Sequence, residues 1–414
     1  MKVKILGFGA AGNKAAIECI QKGIIAENDV ALLNTTLKDI PQLYKQLGYL
    51  FSSDLGGCGK ERNEGKKAMI EAIQSNELDM ASFVDDDTQL VCLVSSTEGG
   101  SGSGSINIAA KYYAAMNIPV HVFSLIGFND DVRGIKNTLS FFKDLDDGIT
   151  LHTISNAEFL DYSGNHSKAE QLANEYFADQ VEALIGNYLI PSDQNIDDKD
   201  MYKIVNTTGY MDIQKVDLSN VKNPQQFTDV VVEAYQNLRG LEFDKSCKRL
   251  GVIINVPERK LDVVDHTFGV IKRYIGEPYE TFRHIQYDGE NEYMYIIASG
   301  LNFPSDGIKR IAKIYKDLND KVNRETNSFK DIFSDIDLDD EDDEFDMSVK
   351  SAHNKSEVDK LFGQMVVKKN TPKVKEKKEA DSDEIIEETN INNVVKVTKA
   401  SKVKTDGKED MSKY

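Results

Sequence analysis

The stretch Ser95-Ser96-Thr97-Glu98-Gly99-Gly100-Ser101-Gly102-Ser103-Gly104-Ser105 limits what this chain can fold into more than any other. An apolar run, Leu90-Val91-Cys92-Leu93-Val94, leads into it, and Ile106 to Tyr113 follows with the pattern of a helix. The stretch therefore joins a buried strand to a helix N-terminus. Its glycines lack Cβ atoms, so successive backbone N–H groups can converge on one point. The helix N-terminus behind them adds partial positive charge. Together these predict a phosphate cradle. A flexible linker of the same composition belongs between domains, not between a strand and a helix of one core.

The strand–loop–helix pattern recurs along the first half. Val3 to Phe8 is a short apolar strand that runs into Gly7-Phe8-Gly9-Ala10-Ala11-Gly12-Asn13, and Lys14 to Lys22 reads as a helix. This satisfies GxGxxG, a weak signal alone. The next strand, Val30 to Leu33, ends in Asn34-Thr35, and no carboxylate follows until Asp39. A nicotinamide-binding unit needs an acid near that strand end for the ribose hydroxyls, so an NAD oxidoreductase is disfavoured. A second glycine loop spans Asp54 to Arg62, and Gly65 opens a helix over Lys66 to Gln74. Val120 to Leu125 is a strand, Gly127 to Arg133 a loop, Gly134 to Leu145 a helix and Ile149 to Ile154 a strand ending in Ser155-Asn156. Alternating strands and helices predict an α/β fold with a doubly wound parallel sheet. Ligands bind at the carboxyl ends of such strands, so these loops should converge on one rim.

Ser167 to Leu189 is helical, with Leu172, Tyr176, Val181, Leu184, Ile185 and Tyr188 apolar, and ends before Pro191. A polar loop, Ser192 to Asp200, precedes a helix near Met201. Beyond it come a helix over Phe227 to Leu238, a buried strand over Leu250 to Val256 and a helix over Val263 to Tyr274. Tyr279 to Tyr287 and Tyr293 to Ala298 alternate like strands, and Asp288-Gly289 predicts a hairpin between them. Pro304 to Asn323 is a charged amphipathic helix. The expected organisation is a nucleotide-binding domain over 1–166, a long central connecting helix over 167–190, an α+β domain over 191–325 and a disordered charged tail over 326–414. The tail holds an acidic block, Asp331 to Asp346, a short capped segment, Ser356 to Phe362, and a basic block, Lys368 to Lys378.

With a formal net charge of −19, the folded body is not expected to bind nucleic acid directly. Cys19, Cys58, Cys92 and Cys247 show neither disulfide nor metal spacing, and the six histidines do not cluster, so no protein-held metal centre is expected. The start Met1-Lys2-Val3-Lys4-Ile5-Leu6 reads as a strand rather than a signal peptide, and no apolar run is long enough to span a bilayer. The expected location is cytoplasmic, without membrane partners.

Taken together, the GxGxxGN loop, the Asn-Thr strand end, the GxG loop and the Gly/Ser signature resemble the tubulin/FtsZ superfamily of GTPases. Glu98 to Gly104 is similar to its GGGTGSG motif, with Glu98 in place of the first glycine and Ser101 in place of the threonine. The resemblance covers roughly residues 1–325. It implies that Gly9, Ala10, Ala11, Gly12 and Asn13 wrap a diphosphate, that Asn34 contacts the nucleotide, and that Gly57 and Gly59 read the γ-phosphate. It places Gly99, Gly100, Ser101, Gly102, Ser103 and Gly104 on the phosphates. The family's FEGxxR falls on Phe128 to Arg133: Phe128 and Arg133 are kept, Asn129 stands where the ribose-binding Glu is usual, and Asp130 is the candidate substitute. Asn156 and Asn174 match two further nucleotide-contacting positions, with Asn174 on guanine. Glu170 stands where a base-stacking aromatic is usual.

The same resemblance assigns Asn195-Ile196-Asp197-Asp198-Lys199-Asp200 to the family's NxDxxD loop, which enters the pocket of the neighbouring subunit. Asn195, Asp197 and Asp200 are then the catalytic candidates; the plainer reading of Asp197 and Asp200 is an N-cap of the Met201 helix, and one of them could serve both roles. Implied cofactors are GTP and GDP, with Mg²⁺ carried on the nucleotide phosphates. The implied partner is a second copy of the chain, added head to tail into filaments. Within the superfamily the chain looks most like the TubZ branch of plasmid and phage DNA-segregation proteins, which implies a DNA-bound adaptor on the tail, with Lys368 to Lys378 as its candidate segment. Alternatives are a PhuZ-like phage filament using acidic Asp339 to Asp346, an FtsZ-like division polymer, and a nucleotide-binding regulator that does not polymerise.

Overall fold

The computed structural model describes residues 1–52, 56–186, 189–192, 194–264, 267–287 and 291–324. The tail blocks at 331–346, 356–362 and 368–378 and the Asp288-Gly289 turn lie outside them. The strands are β1 (Val3–Phe8), β2 (Val30–Asn34), β3 (Gly48–Leu50), β4 (Leu90–Ser96), β5 (Val120–Ile126), β6 (Thr150–Ser155), β7 (Gly209–Asp217), β8 (Arg249–Asn255), β9 (Glu280–Gln286) and β10 (Tyr293–Leu301). The α-helices are α1 (Gly9–Gln21), α2 (Arg62–Gln74), α3 (Ser101–Ala115), α4 (Val132–Lys143), α5 (Asn156–Ser163), α6 (His166–Ile185), α7 (Asp198–Val205), α8 (Pro224–Gln236), α9 (Leu261–Val264), α10 (Thr267–Ile275) and α11 (Ser305–Arg324).

Among the described residues all ten strands join one sheet in the order β3-β2-β1-β4-β5-β6-β7-β10-β8-β9. It is parallel except where β10 pairs antiparallel with β7 and β8. β1, β5 and β6 are buried throughout and β4 nearly so, because helices cover both faces; this is why they read as unbroken apolar runs. One apolar layer sets α2, α3 and α8 against the sheet, and another sets α1, α6 and α7 against its opposite face. The strand order reverses at β1 and β4, so the loops after these strands flank the switch point where α/β sheets bind ligands. Among the described residues no helix is long and apolar enough to cross a membrane.

Several helices begin earlier than their hydrophobic periodicity indicates. α1 starts at Gly9, α3 at Ser101 and α7 at Asp198, because glycine, serine and aspartate carry no apolar signal yet suit a first turn. The expected hairpin does not form. β9 and β10 do not pair: β8 lies between them, parallel to β9 and antiparallel to β10. The apolar run of β8 outweighs the local turn signal. Within the predicted helix over Val263 to Tyr274, the described residues belong to α9 and α10.

β7, unassigned in the sequence, bridges the two halves. It pairs with β6 only at Thr150↔Gly209 and Leu151↔Tyr210, then diverges. Along the opened edge Tyr176 Oη and Gln180 Nε2 of α6 donate to Ile213 O at 3.0 and 3.4 Å. Asp212 sits in this seam, 7% exposed. Its Oδ1 accepts from Gln214 Nε2 at 2.8 Å, while Oδ2 has no partner among the described residues. The titratable groups around it, Tyr176, Tyr210, Tyr235 and Cys247, are uncharged, and burial pushes the Asp212 carboxyl up to about 7. Below its unfolded value of about 4 the group is protonated in both states and costs nothing. As pH rises from about 4 to about 7 the unfolded chain ionises first, so stability falls across that window and levels off above it. Asp212→Asn keeps the Oδ1 acceptor and removes the charge. It should be more stable than wild type by about 2 kcal/mol or more at pH 8, a difference that shrinks to about 1 kcal/mol or less at pH 4.5. Urea unfolding at both pH values checks this; equal differences at the two would refute it.

Candidate functional site

The loops after β1 and β4 are interlocked rather than loose. A Cβ on Gly12 would overlap Val94 O, one on Gly102 would stand 2.5 Å from Phe8 O, and one on Gly9 would stand 3.0 Å from Gly102 N. These glycines let the first turns of α1 and α3 pack on β4 and β1. Gly104 does the same against α2, where a Cβ would meet Lys66 N at 2.8 Å. Gly56, Gly57, Gly59 and Gly99 differ: a Cβ there would meet nothing within 4 Å, so they face open space. Gly57 and Gly59 have φ +124° and +51°, conformations that favour glycine.

The helix ends supply the charge. α1 and α3 have no side-chain cap and no acid in the first turn. By contrast, Asp131, Asn165, Asp197 and Asn223 cap α4, α6, α7 and α8. The uncapped α1 and α3 therefore present free N–H groups and positive dipole ends at the switch point, a ready anion site. Beside them Asn13 is 1% exposed, and neither its amide nitrogen nor its amide oxygen has a partner among the described residues. Ser103 Oγ bonds Gly99 O and Ser105 Oγ bonds Ser101 O at 2.7 Å, so both hydroxyls brace the first turn of α3.

Other candidates turn inward. Asn34 Oδ1 accepts from Thr35 N at 2.9 Å and its Nδ2 donates to Asp39 at 3.1 Å. Thr35 Oγ1 lies 2.7 Å from Ser101 Oγ, with Cys58 Sγ also directed at it. These contacts sew the three loops together, and sequence reasoning missed Thr35 and Cys58. Glu98 does not point at the cradle. Its carboxyl lies over Gly127 and near Gly134, where the missing Cβ atoms make room, and it accepts the Asn129 N–H. Burial holds this carboxyl above the usual range. Arg133 pairs with Glu61 and its Nε donates to Lys60 O. Lys60 pairs with Asp131, whose ammonium partner holds the Asp131 carboxyl low. Asn137 Nδ2 donates to Lys60 O and Glu98 O, both at 2.9 Å. Arg133 thus anchors the Gly56–Glu61 loop through residues the sequence did not single out. Asp130 is exposed, 3.7 Å from His166.

α6 runs the depth of the molecule. Its first residue, His166, packs against Phe128 at the loop rim, with ring centroids 4.2 Å apart. Its last, Ile185, accepts from the Met1 amino group at 2.9 Å, at the opposite, amino end of β1. Twenty residues of helix separate these points, about 30 Å. Asn156 opens α5 at the rim, and Asn174 is half-buried about 12 Å along α6 from His166. Glu170 pairs with Lys14 of α1 at 3.8 Å.

Asn195, Asp197 and Asp200 follow the far end of α6. Asn195 folds back on Ser192, accepting from its N–H at 2.8 Å. Asp197 caps α7 by accepting from Asp200 N at 2.8 Å. Asp200 pairs, among the described residues, with Lys203 at 3.7 Å. Tyr202 of α7 shares a cleft with Lys2, Gln89 and Pro119, which precede β1, β4 and β5. The structure therefore gathers the residues at 9–13, 57–59, 99–104, 130–133 and 156 at one end of the sheet and those at 195–200 at the other.

The fold is shared with solved TubZ and CetZ structures. Among solved structures the chain resembles TubZ of Clostridium botulinum phage c-st, with TM-score 0.62 and 16% identity over 78% of this chain and 99% of that one. It resembles CetZ2 of Haloferax volcanii, solved as a GTPγS-bound protofilament, at TM-score 0.63 and 18% identity, over 78% and 100%. TubZ of Bacillus thuringiensis serovar israelensis, a GTPγS-form protofilament, matches at TM-score 0.63 and 13% identity, over 78% and 92%. TubZ and CetZ match alike, so the likeness does not single out one branch. No family model and no curated protein matches the sequence.

Proposed function

We propose that this chain binds GTP and GDP at the loop rim, assembles head to tail into filaments and hydrolyses GTP where one subunit meets the next. The observation that carries this reading is the placement of the two half-sites at opposite ends of α6. Within one chain they are about 30 Å apart. Stacked copies bring the Asn195–Asp200 segment of one to the rim of another. This contact is heterologous and does not close on itself, so it propagates. TubZ and CetZ2 structures described as GTPγS protofilaments support the same reading.

The residues present fit a nucleotide. Free N–H groups of α1 and α3, with Gly99, Gly100, Ser101 and Gly102, would hold the phosphates, and Gly57 and Gly59 would border the terminal one. The unpartnered Asn13 amide would join them on the diphosphate, and Asn156, Asp130 and Asn174 would take sugar and base, with Asn34, Ser103, Gly104 and Arg133 holding the loops in place. Mg²⁺, carried on the phosphates, would neutralise charge on the oxygens. Phosphoryl transfer asks mainly for positioning and charge stabilisation, and Asp200, aided by Asp197 and Asn195, would orient a water at the junction. The tail over 326–414 would carry the link to DNA through an adaptor protein.

Light scattering and phosphate release, followed together across protein concentrations with GTP, GDP, ATP and GTPγS, test this. GTP turnover per subunit should rise steeply above a threshold concentration, together with scattering; GTPγS should give lasting scattering, and ATP neither. Turnover per subunit that stays constant with dilution would sink the shared-site reading, and nucleotide binding without turnover would indicate a regulator that does not polymerise.

A further inference from the structure

Two histidines that the nucleotide site does not use lie deep in the apolar layer under α6. His121 of β5 and His152 of β6 are 0% and 1% exposed. Their ring centroids are 5.0 Å apart, and His152 stacks on Phe123 at 4.0 Å, which meets Phe177 of α6 edge-on at 4.9 Å. His152 Nε2 is 3.1 Å from His121 Nδ1, and His121 Nε2 is 2.8 Å from Val205 O. A carbonyl only accepts, so His121 carries its proton on Nε2; its Nδ1 then accepts from His152 Nε2–H, leaving His152 Nδ1 without a partner. Burial keeps both rings neutral, pulling His121 down to about 4 and His152 well below the usual histidine range.

Val205 is the last residue of α7, the eight-residue helix that carries Asp200 in its first turn and Asp197 as its cap. Near that end Thr207 Oγ1 donates to Lys203 O at 2.7 Å, Arg249 donates to Thr207 Oγ1 at 2.7 Å, and Thr150 Oγ1 donates to Thr207 O at 3.2 Å. His121 reaches the helix itself from β5 in the middle of the sheet, at the last carbonyl of α7, while Arg249 of β8 reaches it two residues earlier, its Nη1 donating to Lys203 O at 3.4 Å. Asp200 lies five residues from Val205, about 7.5 Å along the axis. A helix this short has little stability of its own, so its direction depends on its anchors.

We infer that His121, held in one tautomer and orientation by His152, is a positioning residue that aims Asp200 through the C-terminal end of α7; this rests on the reading of Asp200 as a catalytic group offered to the neighbouring subunit. Losing the bond leaves Val205 O buried without a donor and lets α7 shift. A displacement near 1 Å at a catalytic group costs roughly 100-fold in rate.

The test uses the full chain and three variants: His121→Leu, which removes the donor; His121→Gln, which returns an N–H; and His152→Phe, which keeps the stack on Phe123 but releases His121. Readouts are affinity for a fluorescent GTP analogue, phosphate release above the assembly threshold, and amide exchange of α7. His121→Leu should keep nucleotide affinity within about twofold, lose at least tenfold in turnover and exchange the α7 amides at least tenfold faster. His121→Gln should recover most of the turnover, and His152→Phe should fall between. If His121→Leu does not fold, His152→Phe carries the comparison with the same signs. Wild-type turnover with wild-type α7 exchange in either folded histidine variant overturns the assignment. A wild-type chain that binds GTP but never turns it over overturns the shared-site reading instead.

Discussion

Asp200→Ala should bind GTP as well as the unaltered chain, hydrolyse it at least about 100-fold more slowly and accumulate long-lived filaments. Asp200 is the candidate best suited to this test because the fold asks little of it. Among the described residues its ion pair is with Lys203, 3.7 Å away at i,i+3; such surface pairs contribute about 0.5 kcal/mol or less. Asp197 is the contrary case. Its side chain closes the first turn of α7, so Asp197→Ala removes a cap at about 1 kcal/mol together with any chemistry. Asn195 likewise holds its loop on Ser192. Loss of turnover in Asp200→Ala, with GTP affinity and unfolding midpoint unchanged, isolates a chemical role. Turnover near that of the unaltered chain would remove Asp200 from the mechanism.

Gly12→Ala should cost about 3 kcal/mol or more and abolish nucleotide binding with it. The added methyl would overlap Val94 O, with Ser95 Cα 3.1 Å away. Every neighbour is main chain in the buried β4, so no side chain can rotate aside. Gly99→Ala is the matched control. Its methyl meets nothing within 4 Å, so stability should stay within about 0.5 kcal/mol, while GTP affinity falls because the methyl stands where the ligand would lie. Urea midpoints and nucleotide titrations on the pair separate packing from pocket. A Gly12→Ala chain with unchanged midpoint would refute the packing argument.

The parallel strands were legible because burial on both faces writes an unbroken apolar run. β7 was not, because its Asp212 and Gln214 are polar residues in a buried seam, recognisable only once Tyr176 and Gln180 of α6 are seen along the same strand. The hairpin expectation failed because Asp288-Gly289 reports local turn preference, whereas the choice of β8 as neighbour depends on which strand buries more. At the site, glycine spacing located the loops but could not separate Gly12 and Gly102, which pack, from Gly57, Gly59 and Gly99, which face outward. Glu98 was unreadable for a related reason: the space it fills is made by Gly127 and Gly134, about thirty residues on. The Asp197 cap was visible in sequence because capping is local. Arg133 reaching Glu61, and His121 reaching Val205, are long-range pairings that no spacing rule reveals.

The two rims of the ten-stranded sheet carry a further consequence. At one margin β3 has only three residues. At the other, Ile285 of β9 is already bonded to Gln194, whose carbonyl accepts the Ile285 N–H at 3.1 Å. A sheet this wide would otherwise offer two templates for sideways accretion, the route to disordered aggregates. A truncated strand closes one margin, and the backbone just ahead of α7 closes the other. The segment proposed to reach into a neighbouring copy is thus also a selvedge: under that proposal, copies would add in line along the strand direction rather than fuse side by side.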